Sequence, residues 1–187
     1  MLVYFTASVV GKKHYQSNYQ KIIDILEKEK CNTISDHILK STESQIRLET
    51  KEERIKFQNQ LDKWINSCDC LIAEVSFPSI SVGYEISLAL SRGKPVLMLY
   101  TGDRPPSLLV QHKDEKLICE KYLFANLKDV IKDFLNYVRD AEGSRFTFYI
   151  TSEIATFLEE VSQKEKLPKA VYLRKLIEKE IRIRKAG

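Results

Sequence analysis

No apolar stretch in this chain approaches the roughly 20 residues that span a bilayer, so no membrane helix is expected. The opening segment, residues 2–5, is short and lacks a basic leader. No secretory signal is read there, and a reducing cytoplasm is the expected compartment. Cysteine is sparse: Cys31, Cys68, Cys70 and Cys119, with no histidine or second cysteine pair at the spacing a zinc site needs. The Cys68-Asp69-Cys70 pair opens an apolar run, where small thiols are commonly buried. No metal and no other cofactor is therefore expected. Also missing are GxxxxGK[ST], GxSxG and GxGxxG. Nucleoside triphosphate hydrolysis, esterase chemistry and dinucleotide binding thus have no motif support. No internal repeat or low-complexity tract is visible.

What remains is an ordinary globular balance, 43% hydrophobic and 30% charged. The 187 residues suffice for one domain of about 140 residues and a small appendage. The net charge of +4 is unevenly spread. Residues 144–187 hold ten Lys/Arg against six Asp/Glu, and the remaining charges cancel over residues 1–143. Any contact with a polyanion is thereby directed to the tail.

Along the chain, short apolar runs alternate with amphipathic segments. Strands are expected at residues 2–5, 33–38, 70–75, 95–100 and 117–119. Helices are expected at 19–29, 52–67, 84–92 and 127–138, with residues 40–50 irregular. Continuously apolar strands between helices imply a parallel sheet covered on both faces, an α/β Rossmann-like (flavodoxin-like) domain over residues 1–140. Such sheets bind ligands at the carboxyl ends of their strands. The loops at residues 6–13 and 75–83 both leave strands at that edge. Asp69 and Glu74 bracket the 70–75 run, and Asp69 reads as a cap on the strand entrance.

The second loop turns into a helix, so Ser79, Ser81 and Gly83 fall just before its expected first turn. Backbone N–H groups there suit an anion such as phosphate, with serine hydroxyls helping. Glu85 falls in that first turn, where the helix dipole favours the carboxylate. An ionised carboxylate beside a sugar or phosphate site is what a glycosyl-enzyme mechanism requires. A helix starter matched to the dipole is the other reading, and the pattern alone leaves both open.

Residues 68–86, CDCLIAEVSFPSISVGYEI, resemble the signature aD-vvAEvs-PS-GvGyElg of the nucleoside 2-deoxyribosyltransferase superfamily, in particular its 2′-deoxynucleoside 5′-phosphate N-hydrolases. Residues 3–8, VYFTAS, are similar to the family's IYFaGS, and Ser35-Asp36-His37 to its tEH segment. The resemblance runs in order over residues 2–138. It implies that Glu85 attacks C1′ of the sugar and displaces the base, with Tyr4 holding the carboxylate by a hydrogen bond. It implies a 5′-phosphate at Ser8, Gly11 and Ser79, His37 near the site, and Ser107 on a loop that reaches a partner's site. A structural histidine and a core tyrosine are the plain readings of His37 and Tyr4. The chain departs from the pattern at three places. The phosphate-loop arginine falls on Val10, leaving Lys12 or Lys13 to supply charge as a point cation. One glycine of the signature is Ser81. The helical aspartate falls on Leu61, a core position beside Trp64 and Ile65, and Asp62 follows about 100° round the helix.

After residues 140–144, which read as a linker, the pattern changes. Residues 145–150 alternate strictly, with Phe146, Phe148 and Ile150 on one face and Arg145, Thr147 and Tyr149 on the other. Ser152 reads as the N-cap of a helix, and a break at residues 166–168 precedes a second one. This strand-helix-helix module, residues 145–187, resembles a ribbon-helix-helix unit. The resemblance implies chain pairing and makes Arg145, Thr147 and Tyr149 candidate DNA contacts. A module this small cannot bury a core alone, so a homodimer or larger homo-oligomer is expected. The leading reading is cleavage of the N-glycosidic bond of a (deoxy)nucleoside or its 5′-monophosphate through a glutamate nucleophile, by hydrolysis or deoxyribosyl transfer. The alternative is a non-catalytic nucleotide sensor governing a DNA-binding tail.

Overall fold

The first strand, β1, spans Leu2–Ala7 and is followed after a four-residue loop by helix α1, Lys12–Lys28. Then come β2 (Asn32–Ile34), α2 (Asp36–Leu39), α3 (Glu43–Leu48) and α4 (Lys51–Ser67). Next are β3 (Cys70–Glu74), α5 (Ile80–Ser91), β4 (Val96–Tyr100), β5 (Leu117–Lys121) and α6 (Leu127–Ala141). Two helices close the chain, α7 (Ser152–Glu165) and α8 (Lys169–Ala186). These elements come from a computed structural model that describes residues 1–48, 50–103, 114–141, 150–165 and 167–186.

The five strands among the described residues are all parallel, in the order β2-β1-β3-β4-β5. That is the doubly wound order whose switch point lies between β1 and β3, where a crevice opens at the strands' carboxyl ends. Side chains alternate across each strand, so both faces must be apolar once both are covered. One face, bearing Val3, Phe5, Ile72 and Leu97, packs against Ile22 and Leu26 of α1 and Ile131, Phe134 and Leu135 of α6. The other, bearing Tyr4, Leu71, Ala73 and Met98, packs against Leu61 and Ile65 of α4 and Ile86 and Ala89 of α5. Burying a leucine-sized side chain contributes about 1.5–3 kcal/mol, so this double seam fixes the register of the central strands β1, β3 and β4.

Several boundaries differ from those read in the sequence, for identifiable reasons. Helix α1 begins at Lys12 because its polar first half, interrupted by the non-helical Tyr15 (φ −124°), carries no apolar rhythm. The expected strand at 33–38 stops at Ile34, and Asp36 begins α2. Residues 43–48 are helical, not irregular. Thr42 and Gln45 exchange backbone and side-chain hydrogen bonds in the manner of a capping box, Thr42 N–H to Gln45 Oε1 at 2.8 Å and Gln45 N–H to Thr42 Oγ1 at 3.4 Å. Helix α5 starts four residues earlier than expected, capped by Ser79, whose Oγ accepts from Val82 N–H at 3.4 Å. In the tail, Thr151 and not Ser152 caps α7, accepting from Ile154 N–H at 3.3 Å. The expected strand with Arg145, Thr147 and Tyr149 lies outside the described residues, as does Ser107. No described helix is long and apolar enough to cross a membrane.

Candidate active site at the β1–β3 switch point

Tyr4 lies mid-way along β1 and Glu85 on the buried side of α5, both on the same face of the sheet. The Tyr4 hydroxyl donates to Glu85 Oε2 at 3.1 Å, across 81 residues of sequence. Tyr4 is fully buried and Glu85 is 5% exposed. Burial raises the Glu85 carboxyl above its ordinary range, and the hydroxyls of Thr6 and Tyr4 pull it back. The Thr6 hydroxyl acts here by proximity, since its geometry falls short of a full hydrogen bond. Thr6 sits two residues beyond Tyr4 on the same strand face, and strand alternation was the signal that could have named it.

The electrostatics differ from the sequence-based expectation. With α5 beginning at Ile80, Glu85 lies in the second turn and not the first. The helix dipole weakens beyond the first turn, so Glu85 depends on neighbouring hydroxyls for its anionic form. Burial likewise pushes the Tyr4 phenol well above its usual value, with the Glu85 charge adding to the effect. Tyr4 therefore acts as a proton donor in a hydrogen bond and not as a base.

His37 completes the cluster. Its ring stacks on Tyr4 with centroids 4.9 Å apart and planes 16° apart, and Trp64 lies 5.0 Å from it. Phe57 closes the aromatic wall, 6.1 Å from both His37 and Trp64. Both His37 nitrogens are buried without a hydrogen-bond partner. Burial pushes the imidazole down to about 4, with Asp36 opposing, so it is neutral near pH 7. A neutral imidazole offers one donor and one acceptor. Two orphaned nitrogens in an aromatic wall suit a flat polar ring. The sequence reading took Trp64 for core and passed over Phe57. Both were legible only as an apolar stripe on α4.

The loop after β1 is built by contact with the loop after β3. The Ser8 hydroxyl accepts from Gly11 N–H at 3.1 Å, and Tyr19 donates to the Ser8 carbonyl at 3.1 Å. Phe77, from the loop after β3, packs on Gly11 and stacks with His14 at 6.2 Å. A Cβ on Gly11 would come within 2.5 Å of Phe77 Cβ, so glycine is required by close approach. In Ser8 and Ser79 alike, the oxygen accepts a backbone N–H and the hydroxyl proton is left to donate, as an anion site needs.

Four expected site residues are placed otherwise. Lys12 turns away from the loop: its ammonium donates to the carbonyls of Ile38 (2.9 Å), Leu39 (2.7 Å) and Ser41 (2.7 Å). An ammonium has three donors, and these carbonyls occupy them all. Asp62 lies 3.4 Å from Arg92 and 3.5 Å from Gln58, and no described hydrogen bond joins it to Tyr4 or Glu85. Leu61, at the position of the family aspartate, is core and 2% exposed. Ser81 is exposed in the first turn of α5. Gly83 lies inside that helix, and a Cβ there would meet nothing within 4 Å. Asp69 caps the sheet edge as expected, accepting from Leu2 N–H at 2.6 Å. Among the described residues no cluster of three or more His, Cys, Asp or Glu could hold a metal ion.

Comparison with known proteins bears on this arrangement. Residues 3–138 match the family described as nucleoside 2-deoxyribosyltransferase. A Methanosarcina barkeri protein named 2′-deoxynucleoside 5′-phosphate N-hydrolase is 30% identical over 135 residues, covering 71% of this chain and 84% of its own. The 5-hydroxymethyl-dUMP N-hydrolase of Mus musculus is 33% identical over 106 residues, 56% of this chain and 58% of that protein. The solved structure of a CMP N-glycosidase from Clostridium botulinum superposes with a TM-score of 0.52 at 16% identity, covering 71% of this chain and 99% of that one. At that identity the likeness speaks for the fold. Residues 3–138, with the Tyr4–Glu85 pair at their switch point, make this chain an enzyme of the nucleoside 2-deoxyribosyltransferase family.

Proposed function

We propose that the chain cleaves the N-glycosidic bond of a (deoxy)nucleoside 5′-monophosphate, with Glu85 as nucleophile. The observation that carries this reading is the buried Tyr4–Glu85 hydrogen bond beside an aromatic wall with unpaired imidazole nitrogens. The names of the relatives, N-hydrolases of deoxynucleoside 5′-phosphates, support the bond and the substrate class. In the first step a Glu85 oxygen attacks C1′ and the C1′–N bond breaks, its electron pair leaving with the base. Tyr4 holds Glu85 in line. His37 hydrogen-bonds the base, which takes up a proton from solvent water as it leaves. Water then attacks C1′ and gives up a proton to solvent, releasing sugar 5-phosphate and restoring the carboxylate; a second base in place of water gives transfer. Ser8 and Ser79 hold the phosphate through their hydroxyls, with Gly11 allowing close approach and seating Ser8 through its N–H, and no cation lies in the loop itself. Asp62 takes part in base departure only if it leaves Arg92, so its contribution is smaller than that of Glu85 or Tyr4.

Helices α7 and α8 expose Ile154, Phe157, Ile177, Ile181 and Ile183, supporting the assignment of the tail to assembly of a homodimer or larger homo-oligomer. A second reading, a nucleotide sensor with a DNA-binding tail, is favoured by the commitment of Lys12 and Asp62 to structural partners. The deciding test is a screen of 5′-monophosphates for released base by chromatography, with Glu85→Gln as control. Release by the wild type alone supports the enzyme. No release, together with a nucleotide-dependent gel shift on duplex DNA, overturns it.

A further inference from the structure

Glu74 ends β3 fully buried, and no described salt bridge supplies it with a cation. Its Oε1 accepts from the Ser76 hydroxyl, from Ser76 N–H at 3.4 Å and from the Tyr122 hydroxyl at 3.2 Å. Its Oε2 is buried with no partner. The network continues outward. Ser76 Oγ accepts from Thr101 N–H at 2.9 Å and lies 3.1 Å from Thr101 Oγ1, while Asn18 of α1 donates to Tyr122 Oη at 2.6 Å. One carboxyl oxygen thus gathers the ends of β3, β4 and β5 together with α1. Glu74 shares a strand face with Cys70 and Ile72, opposite the face that bears Tyr4. It cannot touch the atoms that Glu85 attacks.

We propose that Glu74 is a positioning residue that latches the loop at residues 75–79 to the end of β4, and through that loop sets Ser79 and the start of α5. The inference rests on the N-glycosidic reading only for its activity readout. The groups facing Glu74 are Tyr122 beyond β5 and Tyr19 from α1, both kept neutral by burial. Burial raises the Glu74 carboxyl to about 7, against the hydrogen bonds from Ser76 and Tyr122. Its charge therefore changes near neutrality. Once ionised, it makes those hydrogen bonds charge-assisted, which are about twice as strong as neutral ones. The latch tightens as pH rises through about 7. Global stability moves the other way. The contribution of Glu74 is fully present below its unfolded value of 4.5 and is lost as pH rises through the folded value.

The test uses the full chain as wild type, Glu74→Gln and Tyr122→Phe. Amide exchange at Thr101 and Ser76, corrected for the intrinsic pH dependence, is followed across neutrality, alongside carbon-13 titration of the glutamate carboxyls. The wild type is expected to gain several-fold protection at Thr101 with a midpoint near 7, and Glu74→Gln to lose that step. Tyr122→Phe removes one donor to the carboxylate and is expected to move the midpoint upward; it also carries the test if Glu74→Gln fails to fold. In activity, KM for a 5′-monophosphate is expected to rise below the midpoint in the wild type and to be flat in Glu74→Gln, while any acid fall in kcat set by Glu85 is common to both. A Glu74 carboxyl titrating near 4.5, or an unchanged step in Glu74→Gln, overturns the proposal. If no base is released at all, the N-glycosidic reading falls while the exchange and titration data still decide this one.

Discussion

Replacing Tyr4 with phenylalanine removes one hydroxyl from the site and little else. The ring is fully buried, stacked on His37 and packed with Leu71 and Ile86, so its apolar contacts survive. What is lost is the 3.1 Å hydrogen bond to Glu85. A hydrogen bond to a charged group contributes about 1.5–3 kcal/mol. That bond favours the ionised carboxylate, so its loss raises the Glu85 carboxyl further above the elevation burial already imposes. A glutamate acting as the proposed nucleophile must be ionised, so the rising limb of kcat/KM against pH should move to higher pH. Turnover then falls about ten- to a hundredfold on the acid side and converges with the wild type at alkaline pH. Stability follows the same linkage. A carboxyl raised by folding contributes stability below its unfolded value of 4.5 that is lost as pH rises through the folded value, and Tyr4→Phe deepens that loss. Base release measured by chromatography from pH 5 to 9, with parallel thermal melts, checks both. An acid limb that stays in place while activity falls equally at every pH would refute the reasoning and make Tyr4 a packing residue.

Other outcomes follow from the same geometry. Glu85→Gln should abolish base release, by about a thousandfold or more, while thermal melts show a stability at least equal to the wild type above pH 7, because a buried charge is gone. Ser79→Ala removes the α5 cap, costing about 1 kcal/mol in denaturant unfolding, and calorimetry should show weaker binding of a 5′-monophosphate but not of the matching nucleoside. Ile177→Glu combined with Ile181→Glu alters side chains 59% and 46% exposed in the single chain. Light scattering should report a lower oligomeric state, with turnover per subunit nearly unchanged.

The sheet was legible because burial on both faces leaves a signature that survives in one dimension. Residues 70–74 and 96–100 are unbroken apolar runs apart from Glu74, and both are central strands. The sequence was less legible where polar residues form helices held by caps and neighbours. Residues 12–18 and 43–48 carry no apolar rhythm, and only the Thr42–Gln45 pair hinted at α3. The resemblance pairs Glu85 with Tyr4, and the structure joins the two by a hydrogen bond. Their electrostatic setting was misread, because the start of α5 was placed at Tyr84 when Ser79 caps it. A serine followed three residues later by valine gives a cap but no capping box, so nothing in the string favoured the earlier start.

Lys12 shows why residue type at a loop does not by itself assign a role. Next to Val10, where the family pattern has an arginine, a lysine reads as a replacement cation. Its ammonium instead closes the carboxyl end of α2, through Ile38, Leu39 and Ser41. That short helix carries His37, whose ring lies on Tyr4. Lys12 also opens α1 directly after the loop in which Ser8 binds Gly11. One side chain therefore ties the loop after β1 to the helix that carries His37; in the proposed reading this fixes the distance between the two ends of the ligand and leaves its phosphate to neutral donors. Neutral donors hold an anion less strongly than a guanidinium fork does. In the proposed reading, discrimination then falls more on the aromatic wall of His37, Trp64 and Phe57 than on phosphate charge, and the base is the part of the substrate that the wall selects.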